Sequence, residues 1–454
     1  MIGTSLAPRH SFSLGREVLP LMAGFLVVYF LGGSGYAAVS TAIFLYALVW
    51  YTDSLGKELA IVPAIALIAS GQWLLAPAIY FSFESVAHDK YYMYVEESRY
   101  YSYVLPAALA FISGLRLLFP VVSILYVRDF FRSHASISRR AAYAVFLFGL
   151  ACGVLAPYAP SALAFFFFLG SQTIFISVIY FFVLGSSWRW LAFLAVFGMQ
   201  LANSAETSLF HDILLWSALT LSFIFSDLRL RFAAKLVLIF VGLVLVAQLQ
   251  AAKAHYRFLI SVDSSQAGIM TLAGSMLQGS IIDPEDRADI DSGSLNARFN
   301  QGWIVSAVMD HVPAQRDFEN GSTIALAVRD ALLPRVLVDK RVVSVSDYFR
   351  EYTGLTVNQN TSFGISVLGE AWVNFGYLGV VFMFFFGAFY GIVFRAVLSI
   401  ARRYPSIVFW TPLLFLQALK SETEFVVVLN HMVKSGVFIL IVYYFLTKFL
   451  RVRI

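Results

Sequence analysis

Basic residues with the chemistry to bind phosphate are spread through the hydrophilic stretch between residues 253 and 364. They include Arg298, Arg316, Arg329, Arg335, Lys340 and Arg341. The planar guanidinium group of arginine can contact two phosphate oxygens at once, so converging arginines would suit a phosphorylated ligand. For Arg329 the alternative is a solvent-exposed ion pair with the neighbouring Asp330.

A second group of ionisable residues lies inside or beside long apolar runs. Its members are Arg116, Glu206, His211, Glu370, Lys420, Glu422, Glu424, His431 and Lys434. Such groups cost several kcal/mol in hydrocarbon, so they usually have a function and a partner. Lys434 follows Asn430 by four residues, which puts both on one helical face and lets both point into one cavity. For Arg116, near the middle of its run, the alternative is a structural pair with a carboxylate such as Glu206.

Residues with metal-ligating chemistry are present, but they lack the spacing of a metal site. Asp289 and Asp291 lie in the acidic stretch DPEDRADIDSG, which is typical of a solvated loop, and His255 and His311 are not spaced as ligands. The single cysteine, Cys152, lies in an apolar run and is predicted to be a small buried hydrophobic residue. We therefore expect no metal ion and no cofactor.

The composition is that of a membrane protein. Of the 454 residues, 59% are hydrophobic and only 13% are charged, whereas about 25% of an ordinary soluble domain is charged. This excludes a disordered chain, a coiled coil and a cytosolic enzyme. The fold class that follows is an all-α polytopic membrane protein.

A membrane-spanning helix needs about 20 apolar residues, and about twelve runs in the sequence approach that length. They cover residues 17–32, 36–51, 59–82, 103–127, 141–157, 161–184, 189–204, 212–227, 236–252, 365–397, 406–419 and 425–447. Only a short glycine-rich stretch, 32–35, separates the first two runs, so one long kinked helix is an alternative there.

Lys and Arg residues cluster at alternate ends of these runs, and this pattern predicts the orientation in the membrane. With twelve spans all the clusters fall on one side, which the positive-inside rule assigns to the cytoplasm. Both termini are then cytoplasmic, and the first run is a retained anchor because no small-residue cleavage site follows it. The excess of basic residues that gives the net charge of +5 lies in the clusters that are predicted to be cytoplasmic. This distribution is explained by membrane topology and argues against a nucleic-acid partner.

The same orientation places one large helical loop outside the cytoplasm, between the ninth and tenth spans. The chain then divides into an N-terminal transmembrane bundle (1–252), an extracytoplasmic loop domain (253–364) and C-terminal transmembrane helices (365–454). Three short helices are predicted in the loop domain. One is capped by Ser294, one covers IALAVRDALLPR, and one is SVSDYFREYTG, which ends at Gly354.

Several stretches of the C-terminal third resemble the Wzy-type oligosaccharide repeat-unit polymerases, which are multi-span proteins with one large outer loop. These stretches are FENGSTIALAVRDALLPRVLVDKR, SDYFREYTG, SFGISVLGEAWVNFGYLGV and ALKSETEFVVVLNHMVKSGVFILIV. The last resembles the closing span pair of the enterobacterial common antigen branch, with Lys420 and Lys434 where that family tends to have basic residues. Where the family often has a Gly-Thr-Arg turn this chain reads NSAETSLFHD, so Arg116 is a candidate to supply that charge.

The resemblance implies a metal-independent, GT-C-like membrane glycosyltransferase of the cytoplasmic (inner) membrane. Its donor and acceptor would be undecaprenyl-diphosphate-linked oligosaccharides, with membrane lipid and a chain-length regulator protein as further partners. A growing O-antigen or exopolysaccharide chain would leave its lipid diphosphate and pass to another lipid-linked repeat unit at the outer leaflet.

The resemblance also implies roles for particular residues. Basic side chains would neutralise the leaving diphosphate, which stabilises the charge that develops on it. By this carry-over they are Arg298, Arg329, Arg335, Lys420 and Lys434. The base for the acceptor hydroxyl would be Glu370 or His311, with Glu206 as the third candidate.

Three other functions remain open at this point. An O-antigen-type ligase would share the lipid-linked donor but transfer the glycan to a different acceptor. A flippase for lipid-linked oligosaccharides would need charge along a path through the membrane, which Arg116 slightly favours and the large outer loop disfavours. A structural subunit of an envelope complex is the remaining alternative.

Overall fold

The computed structural model describes residues 14–83, 92–133, 139–207, 211–242, 244, 274, 299–333, 345–356 and 363–448. Within these residues the regular structure is helical and contains no strand. The α-helices are Leu14–Phe30, Gly35–Ser54, Ile61–Ser70, Ala76–Phe83, Glu97–Leu118, Ile124–Ser133, Arg139–Leu155, Ala164–Val183, Arg189–Thr207, His211–Leu228, Phe232–Gly242, Gly302–His311, Ser322–Leu332, Val345–Thr353, Ser366–Phe375, Gly379–Ala401, Thr411–Leu414 and Phe425–Lys448.

Seven helical segments in the described part of the chain are long and apolar enough to cross a membrane. They are Gly35–Ser54, Ile61–Ser82, Glu97–Leu118, Arg140–Tyr158, Ala164–Val183, Ser366–Ala401 and Phe425–Lys448. The prediction of a helical, multi-pass membrane protein is confirmed to this extent. The count of twelve spans stays a prediction, as does the position of the large loop outside the cytoplasm.

Most predicted apolar runs coincide with helices, but three differ, and local residues explain two of these differences. The run 103–127 is not one helix, because Pro120 forces Phe119 into extended backbone and the helix ends at Leu118. The run 365–397 is interrupted at Gly376, whose positive φ of 54° few other residues adopt. The run 406–419 consists of short 3₁₀ and α turns. The first two runs are separate helices, divided at 31–34.

The contacts divide the chain into two compact units. One contains Met1–Tyr51, Ala60–Ser123 and Phe299–Arg451, and the other contains Thr52–Leu59, Ile124–Arg298 and Val452–Ile454. The three-part division of the sequence into 1–252, 253–364 and 365–454 follows topology in the membrane rather than contacts, and it stays a prediction.

In the first unit, two candidate spans pack backbone to backbone. A carbon atom added to Gly114 of Glu97–Leu118 would lie 2.1 Å from the carbonyl oxygen of Phe384, in Gly379–Ala401. One added to Gly387 would lie 2.3 Å from the carbonyl oxygen of Phe111. Small residues permit such close approach between membrane helices, where the hydrophobic effect gives no driving force for association.

In the second unit, basic side chains bind the last carbonyl groups of helices. Arg132 donates to the carbonyl oxygens of Phe182 and Val183 at 3.1 and 3.0 Å, at the end of Ala164–Val183. Arg128 donates to the carbonyl oxygen of Ser226 at 2.6 Å, near the end of another helix. These cations satisfy carbonyl groups that the helices leave unpaired and complement the negative end of each helix dipole.

The glycine contact leads to a stability prediction. We expect Gly114→Val to lower the free energy of unfolding by about 1–3 kcal/mol or more, because the added side chain forces the two helices apart. Gly198→Val is the matched control, since a carbon atom added at Gly198 meets nothing within 4 Å. Thermal unfolding of the detergent-solubilised variants measures the difference. Equal effects of the two substitutions would show that the approach at Gly114 is unimportant.

Candidate functional site

Glu370 is the buried centre of the candidate site. It lies on the helix Ser366–Phe375, and only 1% of the residue is exposed. The described residues 299–333 and 345–356, which we call the outer segment because they are predicted to lie outside the cytoplasm, supply two helices around it, Ser322–Leu332 and Val345–Thr353. A buried carboxylate needs hydrogen bonds or charge partners in place of water, so its neighbours define what it can do.

Three groups donate hydrogen bonds to the Glu370 carboxylate. The backbone N–H of Phe425 binds Oε2 at 2.7 Å, and the hydroxyl groups of Thr323 and Tyr348 bind Oε1 at 3.3 Å each. Phe425 is the first residue of the last helix, so this N–H belongs to the positive end of the helix dipole. Within the described residues Glu370 forms no ion pair with a lysine or arginine.

Asn374 fixes the orientation of Thr323. It lies one helical turn after Glu370, and its Nδ2 donates to Thr323 Oγ1 at 2.6 Å and to the Glu370 carbonyl oxygen at 2.8 Å. Because the Thr323 oxygen already accepts this bond, its own proton is left to donate to Glu370. Phe425, Thr323 and Tyr348 therefore all donate to the Glu370 carboxylate, which acts only as an acceptor.

The non-helical residues 420–424, which we call the connector, hold the site together. The carbonyl oxygen of Ser421 accepts hydrogen bonds from Ser366 Oγ at 2.6 Å and from Trp73 Nε1 at 3.3 Å. Glu424 Oε1 accepts the N–H of Ile365 at 3.0 Å. The connector thereby joins the beginnings of Ser366–Phe375 and Phe425–Lys448 to a third helical segment.

Trp73 belongs to a π-helical turn, Gly71–Leu75, inside the candidate span Ile61–Ser82. Such a turn breaks the regular hydrogen-bond ladder and is frequent at functional sites. Here the hydroxyl groups of Tyr100 and Tyr101 bind the carbonyl oxygens of Trp73 and Leu74 at 2.8 and 2.9 Å. Tyrosines of the neighbouring candidate span Glu97–Leu118 therefore provide hydrogen bonds to carbonyl groups of the irregular backbone.

Two ionisable groups beside Glu370 lie outside the candidate spans, and burial raises the pKa of both. The pKa of Glu424 is raised by burial and by the negative charge of Glu422, which outweigh the hydrogen bond from Ile365. The pKa of the Tyr348 phenol is raised by burial and by the negative charge of Glu370. Tyr348 therefore stays protonated near neutral pH and acts as a donor toward Glu370.

A charged network lies next to this site on the outer segment. Arg316 pairs with Glu319 at 2.7 Å and with Glu351 at 2.8 Å, and its guanidinium group lies 4.7 Å from the centre of the Tyr352 ring. Glu319 also accepts hydrogen bonds from Ser322 and Tyr352. Burial alone would raise the pKa of Glu319, but these hydrogen bonds and the charge of Arg316 lower it.

Of the two predicted bases whose side chains the structure describes, Glu370 and His311, only Glu370 lies in this constellation. His311 ends the helix Gly302–His311 and packs against Gly354, and in the described part of the chain no hydrogen bond or ion pair joins it to Glu370. Glu206 belongs to the helix Arg189–Thr207, but its side chain lies outside the described residues.

The predicted diphosphate-binding residues do not form one observed cluster. Lys420 begins the connector that holds Glu370, whereas Lys434 is exposed on Phe425–Lys448, nine residues beyond Phe425, or about 14 Å along the helix. Arg329 pairs with Asp330 at 2.8 Å, as the alternative interpretation predicts. Arg298 and Arg335 lie outside the described residues.

Arg116 is near the end of a helix rather than near the middle. It lies in the last turn of Glu97–Leu118, and its guanidinium group is 5.8 and 5.5 Å from the ring centres of Tyr46 and Trp50. It also donates a hydrogen bond to the Tyr46 hydroxyl group. Its observed partners are therefore aromatic rings, which stabilise a cation through their electron-rich faces.

Sequence reasoning missed Thr323 and Asn374. The spacing of Asn374 from Glu370, four residues along one helix, could have indicated a shared face. No local signal could have indicated Thr323, because it meets Glu370 across 47 positions of sequence. In the described residues no group of three or more His, Cys, Asp or Glu side chains is arranged to hold a metal ion.

Comparison with known proteins gives no family for this chain. No protein-family model matches it, and neither a curated protein nor a solved structure does. Its function has to be argued from the chemistry of the site.

The lowered pKa of Glu319 predicts a pH-dependent contribution to stability. A carboxyl group with a lowered pKa in the folded state stabilises the fold above its unfolded pKa, and this contribution is lost as the pH falls through the folded pKa. We expect Glu319→Gln to cost about 2 kcal/mol at pH 7 and progressively less below about pH 4. Thermal unfolding across pH measures this. Asp347→Asn is the control, because its pair with Arg350 is 59–60% exposed and should contribute little.

Proposed function

We propose that the protein is a glycosyltransferase that polymerises undecaprenyl-diphosphate-linked oligosaccharide repeat units. The observation that carries this proposal is the buried Glu370 carboxylate, oriented by donors from three helices and placed beneath the outer-segment helices. The stretches that surround it are the ones that resemble the Wzy-type polymerases. Glu370 is thus a candidate base by the resemblance and also the centre of the hydrogen-bonded site in the structure.

In this proposal Glu370 is the final acceptor of the proton that the acceptor sugar loses. The sugar oxygen attacks the anomeric carbon of the donor, the bond from that carbon to the diphosphate breaks, and the diphosphate leaves with the electron pair. A carboxylate whose hydrogen-bond partners are all donors can, in its ionised form, take up the released proton. No energy source is needed beyond the donor itself, because the diphosphate is already a good leaving group.

Cationic side chains would stabilise the leaving diphosphate. Lys420 is the candidate best supported by position, because it begins the connector whose other end places the N–H of Phe425 on Glu370. Arg298 is the second candidate. It directly precedes Phe299, whose ring lies against Gly71 of the π-helical turn, and that turn also contacts the connector through Trp73.

Reaction at the outer leaflet requires the orientation inferred from the basic clusters. The protein would lie in the inner membrane with both termini in the cytoplasm and the segment containing residues 299–356 outside. Lipid-linked repeat units are polymerised after they have crossed the membrane, so the site formed by Glu370, Tyr348 and Thr323 must face that side.

A ligase is the nearest alternative, since it uses the same donor and the same kind of base. It differs in the acceptor, and the reconstitution below separates the two. A flippase has less support than the sequence suggested, because Arg116 lies in the last turn of its helix against Tyr46 and Trp50 rather than along a path through the membrane.

The first test is reconstitution with lipid-linked repeat units isolated from host cells that lack this protein. We expect a ladder of products of increasing length, and we expect Glu370→Gln to reduce the rate by at least about 10²-fold, because the proton acceptor is lost. Glu351→Gln is the matched control, since this carboxylate pairs with Arg316 instead. A full-rate ladder from Glu370→Gln would refute the assigned role. Products only with a different glycan acceptor would indicate a ligase.

The second test concerns orientation. In a Cys152→Ser background, we expect Asp317→Cys to react with a membrane-impermeant maleimide in intact cells, because Asp317 is exposed on the outer segment. Ser399→Cys, near the end of Gly379–Ala401, should react only after the membrane is permeabilised. The opposite labelling pattern would place the site in the cytoplasm and exclude reaction at the outer leaflet.

A further inference from the structure

The burial of Glu370 creates a problem for direct proton transfer. Only 1% of the residue is exposed, so a sugar hydroxyl group cannot reach its carboxylate without displacing its neighbours. The two hydroxyl groups that contact Oε1 belong to Tyr348 and Thr323, and both of these residues are partly exposed. One of these hydroxyl groups can therefore lie between the sugar and the carboxylate.

The two hydroxyl groups are not equivalent. The oxygen of Thr323 already accepts the short hydrogen bond from Asn374 Nδ2 at 2.6 Å, which makes it a poorer acceptor for a second proton. The Tyr348 hydroxyl group donates to Glu370 Oε1 at 3.3 Å. Its helix, Val345–Thr353, lies on the outer segment, and its ring packs edge-on against that of Tyr352 at 4.9 Å.

We infer that Tyr348 is a catalytic residue that relays the acceptor proton to Glu370. The inference rests on the proposed function and adds a residue to it. Tyr348 cannot be the base itself, because a phenol beside a negatively charged carboxylate holds its proton. It can pass a proton on only if it gives one to Glu370 in the same step.

The acceptor hydroxyl group loses its proton to the phenol oxygen of Tyr348 while its own oxygen bonds to the anomeric carbon of the donor. The phenol proton moves at the same time to Glu370 Oε1, and the diphosphate leaves with the electron pair of the broken bond. Tyr348 ends the step neutral and Glu370 ends it protonated. The proton then returns through Tyr348 to water before the next turnover.

The test is single-turnover transfer in mixtures of H₂O and D₂O with the same isolated lipid-linked repeat unit. With the relay, two protons move together, so the wild-type rate should fall along a curve as the D₂O fraction rises. Tyr348→Phe should lower the single-turnover rate by about 10²-fold with substrate affinity changed less than about twofold, and its dependence on D₂O should become linear or vanish.

Two further variants separate a relay from a structural role. Tyr352→Phe removes a hydroxyl group one turn away that binds Glu319, and it should keep the curved dependence. Thr323→Val should keep it too, because Thr323 only orients the carboxylate. Thermal unfolding of each variant shows whether it is folded.

Three outcomes overturn the relay. A curved dependence retained in Tyr348→Phe removes Tyr348 from proton transfer, and the proposed function stands if Glu370→Gln still lowers the rate by at least about 10²-fold. Loss of the curve in Thr323→Val instead would assign the relay to Thr323. If the wild-type protein transfers no glycan to any acceptor, the proposed function and the relay both fail.

Discussion

Non-helical backbone at the end of membrane helices is the constraint on which this structure depends. Every buried N–H and carbonyl group there needs a partner, because an unpaired buried group costs several kcal/mol. The connector at residues 420–424 meets this demand through side chains. Ser366 and Trp73 bind the Ser421 carbonyl group, Glu424 binds the N–H of Ile365, and Glu370 binds the N–H of Phe425.

This arrangement gives Glu370 two roles that a single carboxylate can combine. It caps the first turn of the last helix through one oxygen, and it presents the other oxygen to Thr323 and Tyr348. The cap fixes the position of the carboxylate, and the two hydroxyl groups fix its orientation. Preorganisation of this kind is what a proton acceptor requires, because no reorganisation is then needed when the proton arrives.

Much of the fold could be predicted from sequence, because the signals for its helices are local. The helix Val345–Thr353 follows from its capping-box pattern and from the Gly354 stop, whose φ of 70° suits glycine, and Ser322–Leu332 coincides with the predicted helix IALAVRDALLPR. The break after Leu118 is a local effect of Pro120, but the apolar run that continues past it hid the break. The partners of Glu370 could not be predicted, because Thr323 and Phe425 reach it only through tertiary packing across 47 and 55 positions.

The most direct measurement of the central claim is an experimental structure of the protein with an undecaprenyl-diphosphate-linked sugar bound. The account predicts a sugar hydroxyl group within hydrogen-bond distance of the Tyr348 phenol, with the diphosphate on the Lys420 side of the connector. A sugar bound elsewhere, with no substrate group near Tyr348 or Thr323, would contradict the assignment of this site.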